Sequence, residues 1–138
     1  NGRDAPFNKI ANGMPGLETR LPLMFNAMVS EGRGGLDAFA RVTATAPAQA
    51  FGLMNKGAIA PGFDADIAIW NPELSYTYGA NDLKDNVGYN PFEGTTVTGM
   101  PVTVLSRGQV IVRDRALHSL PGHGAWQPMT WQGNQRPA

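Results

Sequence analysis

Lys56-Gly57-Ala58-Ile59-Ala60-Pro61-Gly62-Phe63-Asp64-Ala65-Asp66-Ile67 divides this chain into two unlike halves. Lys56-Gly57 and Pro61-Gly62 are turn signals, because glycine reaches backbone angles closed to other residues and proline presets a turn. Asp64 and Asp66 are two residues apart, so on a strand both would face the same side. A pair of carboxylates there could hold a hard cation. The structural reading is the stronger one: Asp64 closes the turn after Gly62 and Asp66 opens a strand.

Upstream of this stretch the apolar spacing is helical. Thr19 is a plausible N-cap. Leu21, Met24, Phe25, Met28 and Val29 then fall on one helical stripe. Pro22 sits in the first turn, where its missing N–H costs little, and Gly32 is a natural stop. Leu36, Phe39, Ala40 and Thr43 repeat the spacing more weakly. Thr45 or Ala46, followed by Pro47, marks a further helical turn ending at Gly52. Three short pieces over 19–52 each need packing against something else. Residues 1–16 are punctuated by Gly2, Pro6, Asn12, Gly13, Pro15 and Gly16 and read as irregular.

Downstream the runs are strand-like: 66–70, 74–78, 101–106 and 109–113. Arg107-Gly108 is placed to close a hairpin between the last two. The tail from Pro121 has no periodicity. A boundary near residue 53 follows.

The composition restricts function. Of 138 residues, 42% are apolar and 16% charged, a globular mix. The net charge of zero leaves no electrostatic footprint for nucleic acid or an acidic membrane. Nothing approaches the roughly 18 consecutive apolar residues of a membrane helix. With no cysteine there is no disulfide scaffold, thiolate metal site or cysteine nucleophile; this composition agrees with a cytoplasmic location. His118 and His123, the only histidines, lie in a Gly/Pro-rich stretch without a carboxylate cluster and read as surface residues. Trp126 and Trp131 read as packing the tail onto a neighbouring domain or subunit. The residues by themselves name no catalytic group and no metal ligand.

Four strings, in order along nearly the whole chain, resemble the cyclic amidohydrolases of the hydantoinase and dihydropyrimidinase type, within the amidohydrolase superfamily. Residues 7–20, with Lys9-Ile10-Ala11-Asn12-Gly13 and Gly16-Leu17-Glu18-Thr19-Arg20, are similar to F-x-K-I-P-N-G followed by G-[LVI]-E-x-R, with Ala11 where proline is usual. Ala46-Pro47-Ala48-Gln49-Ala50-Phe51-Gly52-Leu53 is similar to N-P-A-K-x-F-G-L. Residues 56–67 are similar to K-G-x-I-x-x-G-x-D-A-D-L. Tyr89-Asn90-Pro91-Phe92-Glu93-Gly94, then Gly99-Met100-Pro101 and Arg107-Gly108, complete the set.

The resemblance implies an α/β fold. Residues 1–53 would be the end of a (β/α)8 metal-dependent hydrolase barrel, contributing a substrate loop and closing helices. Residues 54–117 would be strands of a small composite β-sandwich, and 118–138 a C-terminal tail. A whole barrel typically needs about 250 residues, so the chain is expected to be a C-terminal portion, inactive by itself. The implied activity is ring opening of cyclic amides, hydantoins and dihydropyrimidines, at a binuclear centre of two divalent metal ions, usually zinc. The ligands are expected upstream; Asp4-Ala5-Pro6 only superficially resembles the metal aspartate string. Asn12 is the one residue the resemblance assigns to substrate, through its backbone groups, and Gly13 would free the loop to turn. Glu18 and Arg20 would pair to fix the loop to the helix. A homotetramer is the implied assembly. Allantoinase or dihydroorotase chemistry, or a non-catalytic scaffold that has lost its metal ligands, remain the alternatives. A free-standing β-domain binding module is disfavoured by helical stripes that need cover.

Overall fold

The computed structural model describes residue 6, residue 8, residue 13 and residues 15–118 and 121–130. Helices come first and a sheet follows. Helix α1 (Arg20–Phe25) continues without a break into a π-helical segment, Asn26–Ser30. Helix α2 (Gly35–Ala40) runs through a second π segment, Arg41–Thr45, into α3 (Ala46–Ala50). The three expected pieces are therefore two rods. Their stops are the expected ones: Gly32 and Gly52 both have positive φ, at 74° and 63°, which glycine adopts at little cost. Thr19 precedes α1 as expected, but its side chain makes no capping hydrogen bond; it is fully buried.

Strands β1 (Ile67–Thr77), β2 (Thr96–Ser106), β3 (Gln109–Arg113) and β4 (Ala116–Leu117) form one antiparallel sheet in the order β1-β2-β3-β4. The runs expected at 66–70 and 74–78 are one strand. Asn71-Pro72-Glu73 reads as a break, yet it is a bulge: the register slips between Asn71 and Ser75, and the Asn71 side chain accepts the Glu73 N–H at 3.0 Å. Pro72 is tolerated because β1 lies at the edge of the described sheet, where the missing donor interrupts no second ladder. Arg107 and Gly108 close the β2–β3 hairpin with φ of 48° and 80°, the left-handed pair whose twist matches two antiparallel strands.

The helices dock on the sheet through one aromatic cluster. Phe25 is 2% exposed. Its ring stacks on Trp70 at 4.5 Å and meets the Phe39 edge at 5.3 Å. Gly99, with φ 95°, leaves the space this ring fills. The centre of the α1 stripe is thus covered from within the chain, by its own sheet. The π segment adds polar staples: Asn26 Oδ1 accepts the Thr98 N–H at 2.8 Å, and Ser30 Oγ donates to the Thr98 carbonyl at 2.6 Å. These side chains satisfy the backbone groups of Thr98, in the part of β2 that β3 does not reach and that would otherwise be open to pairing.

Candidate functional site

The chain folds locally at the Lys56–Ile67 motif around a single ammonium group. Lys56 Nζ lies 2.8 Å from Asp64 and also contacts Asp66. Asp64 takes the Asn55 amide at 3.0 Å, and Asp66 Oδ1 accepts the Arg107 N–H at 2.7 Å. Thr45 Oγ1, within the second helical rod, donates to the Gly57 carbonyl at 2.8 Å. The motif therefore joins helix, turn and hairpin. Its two carboxylates share Lys56 as their cation, which favours the structural reading of the pair over cation binding.

This cluster has a pH signature. Burial pushes the Asp66 carboxyl up, but the Lys56 and Arg107 hydrogen bonds outweigh it and hold the group below the usual value of 3.8. Burial likewise opposes the Lys56 charge, and the hydrogen bonds to Asp64 and Asp66 hold that group above 10.5. A depressed Asp66 contributes stability above its unfolded value, lost as pH falls through the folded one. A raised Lys56 contributes below 10.5 and fades as pH rises. We expect Lys56→Met to cost roughly 1 kcal/mol at neutral pH, since Asp66 is partly exposed and screened. Urea midpoints of the two proteins should converge as pH falls below the folded-state value of Asp66, which lies under 3.8. A gap that persisted undiminished there would mean that lost packing, not charge, causes the effect.

The concavity lies elsewhere. A cleft of about 900 Å3 opens between residues 13–24 and the long β1–β2 connection, lined by Gly13, Leu17, Thr19, Leu23, Asp85 and Val87 among others. The connection is tied down at its base by hydrogen bonds and packing. Asn90 is buried, its amide donates to the Gly79 carbonyl at 2.7 Å, and its oxygen accepts the Phe92 N–H at 2.9 Å. Asp82 accepts the Gly79 N–H at 2.6 Å. Phe92 packs on the Tyr78, Val97 and Met100 core. Its tip crosses the cleft: the Lys84 N–H reaches Glu18 Oε2 at 2.9 Å, and the Tyr89 hydroxyl donates to the Gly13 carbonyl at 3.1 Å.

Glu18 thus fixes the cleft wall by taking the Lys84 amide, rather than through the expected pair with Arg20. Asn12, Asp4 and Trp131 lie outside the described residues. Gly13 is described, and a Cβ there would meet no described atom within 4 Å. His118 is exposed; Nε2 of His123 is buried with no partner among the described residues. Trp126 is 85% exposed, on a tail held where Thr130 bonds the Gly52 carbonyl and Arg107 bonds that of His123. Among the described residues no group of three or more His, Asp or Glu side chains could hold a metal ion. No described helix is long and apolar enough to cross a membrane.

The amidohydrolase family model matches residues 8–111. The chain belongs to the amidohydrolase family. It is 42% identical over 123 residues to a D-hydantoinase of Streptomyces coelicolor, covering 88% of this chain and 26% of that protein. Among solved structures, a D-hydantoinase (dihydropyrimidinase) from a Thermus species superposes with a TM-score of 0.81 at 38% identity, over 86% of this chain and 26% of the other. An L-hydantoinase (dihydropyrimidinase) from Arthrobacter aurescens gives 0.75 at 34%, over 79% and 24%. The chain thus spans about a quarter of the length of the relatives it matches. The family and these neighbours support the barrel hydrolase fold, of which this chain shows two helical rods and a four-stranded antiparallel sheet; no parallel strand pair occurs among the described residues. Amidohydrolases are generally metal-dependent; the described residues of this one do not form a metal centre.

Proposed function

We propose that this chain is part of a hydrolase that opens cyclic amides, hydantoins and dihydropyrimidines, by adding water across a ring C–N bond to give an N-carbamoyl product. The supporting observation is its similarity, at 42% identity over 88% of its length, to a D-hydantoinase. In this reading residues 1–53 end the catalytic barrel, 54–117 belong to a composite β-sandwich and 118–138 form the tail. Two divalent ions, zinc, are held by residues outside this chain, in a cytoplasmic homotetramer. Asn12 recognises the substrate through its backbone groups, which suits a planar ring of alternating C=O and N–H groups. The open mouth of the cleft beside Gly13 supports this placement.

The test uses the complete open reading frame. The purified product, supplied with zinc, is incubated with hydantoin and with dihydrouracil, and formation of the N-carbamoyl product is followed. Ring opening of either is the expected result. A folded, metal-loaded protein inert toward both would favour a non-catalytic scaffold. Hydrolysis restricted to allantoin or dihydroorotate would move the chain to those branches.

A further inference from the structure

The longest-range side-chain contact at the cleft joins two residues 76 apart: the Tyr89 hydroxyl and the Gly13 carbonyl, at 3.1 Å. A phenol held this way is oriented from behind. Asn90 is buried and bonded to both Gly79 and Phe92, and Phe92 is seated on the core. The hydroxyl thus transmits the position of the β-sheet to one point on the loop. The second crossing, from the Lys84 N–H to Glu18, is made by the same connection to the other end of the same segment. Between the two crossings lie Asp85 and Val87, which line the cleft opposite Leu17 and Thr19. One element therefore forms a cleft wall and also holds the facing wall at both ends.

We propose that Tyr89 is a positioning residue for substrate: its hydroxyl, by holding the Gly13 carbonyl, fixes the peptide that follows Gly13 and so the exit of the segment that carries Asn12. This rests on the assignment of that loop to substrate made above. A ring recognised by main-chain groups is read by loop placement, and a hydrogen bond that fixes placement contributes to binding without touching the reacting atoms. Tyr89→Phe removes the hydroxyl and keeps the ring.

The experiment measures Tyr89→Phe and the parent in the full-length enzyme by two readouts. Hydrogen exchange reports amides 8–16 in the absence of substrate. Steady-state kinetics with hydantoin and dihydrouracil report binding and turnover. We expect faster exchange over 8–16 and a Michaelis constant raised about five- to tenfold, the loss of one hydrogen bond. Turnover and melting temperature should stay close to the parent values. Unchanged exchange overturns the tether, whatever the kinetics. Faster exchange with an unchanged Michaelis constant overturns the role in substrate positioning, as does a fall in turnover alone. If the parent opens no cyclic amide, the function reading fails and takes the substrate role with it. The exchange result then still decides whether the contact orders the loop.

Discussion

Gly99→Ala is expected to destabilise the chain strongly, because one added methyl would collide with a buried ring. A Cβ at position 99 would sit 2.1 Å from Cδ1 and 2.2 Å from Cε1 of Phe25. An exposed ring could swing aside, but this one is 2% exposed, stacked at 7° on Trp70 and edged by Phe39. The backbone adds a second cost, because φ is 95° there and a side chain is strained in that region. Overpacking typically costs about 1–3 kcal/mol and the positive φ roughly 1–2 more. The measurement is the urea midpoint. A loss under about 1 kcal/mol would mean that the helix rides away from the sheet freely, so the aromatic cluster is not what fixes it. Phe25→Leu makes the cause separable: combined with Gly99→Ala it should cost less than the sum of the two, since the smaller side chain vacates the contested space.

That contact marks where sequence reading stops. The helical stripe through Phe25, the stops at Gly32 and Gly52, and the Arg107-Gly108 hairpin are local signals and are legible in the chain. What covers Phe25 is not local: Trp70 and Gly99 meet it only once β1 and β2 pair, so the stripe alone implies an external partner. Asn71-Pro72-Glu73 misleads for a related reason. Proline excludes a residue from a central strand but not from an edge, and edge position is a property of the assembled sheet. The π segments have no compositional signature. The Lys56 cluster is half legible: its two aspartates are visible as a pair, but the cation that satisfies them lies ten residues before Asp66, across two turns. At the cleft, motif resemblance locates the loop around Asn12 and Gly13. Tyr89 and Lys84 enter the same region only through long-range bonds, which no spacing rule anticipates.

Position 13 separates a conformational from a steric role for glycine, and the full-length enzyme should show the difference as a contrast between two variants. Gly13→Ala adds a methyl that meets no described atom within 4 Å. Its kinetics should stay within about twofold of the parent, because no collision is introduced. Gly13→Pro keeps the carbonyl that Tyr89 holds, yet it acts backwards along the chain. The proline ring crowds the preceding residue and confines it to extended conformations, and that residue is Asn12. It also deletes the N–H of residue 13 itself. If substrate is read by the backbone at Asn12, displacement of these groups by about 1 Å should lower kcat/KM on the order of 100-fold. The melting temperature should barely move, since residue 13 is exposed. Equal, small effects of the two variants would remove the loop from substrate recognition. Equal, large effects would mean that the site needs the absence of a side chain, so that the ring itself, or a closing segment, occupies the space beside Gly13.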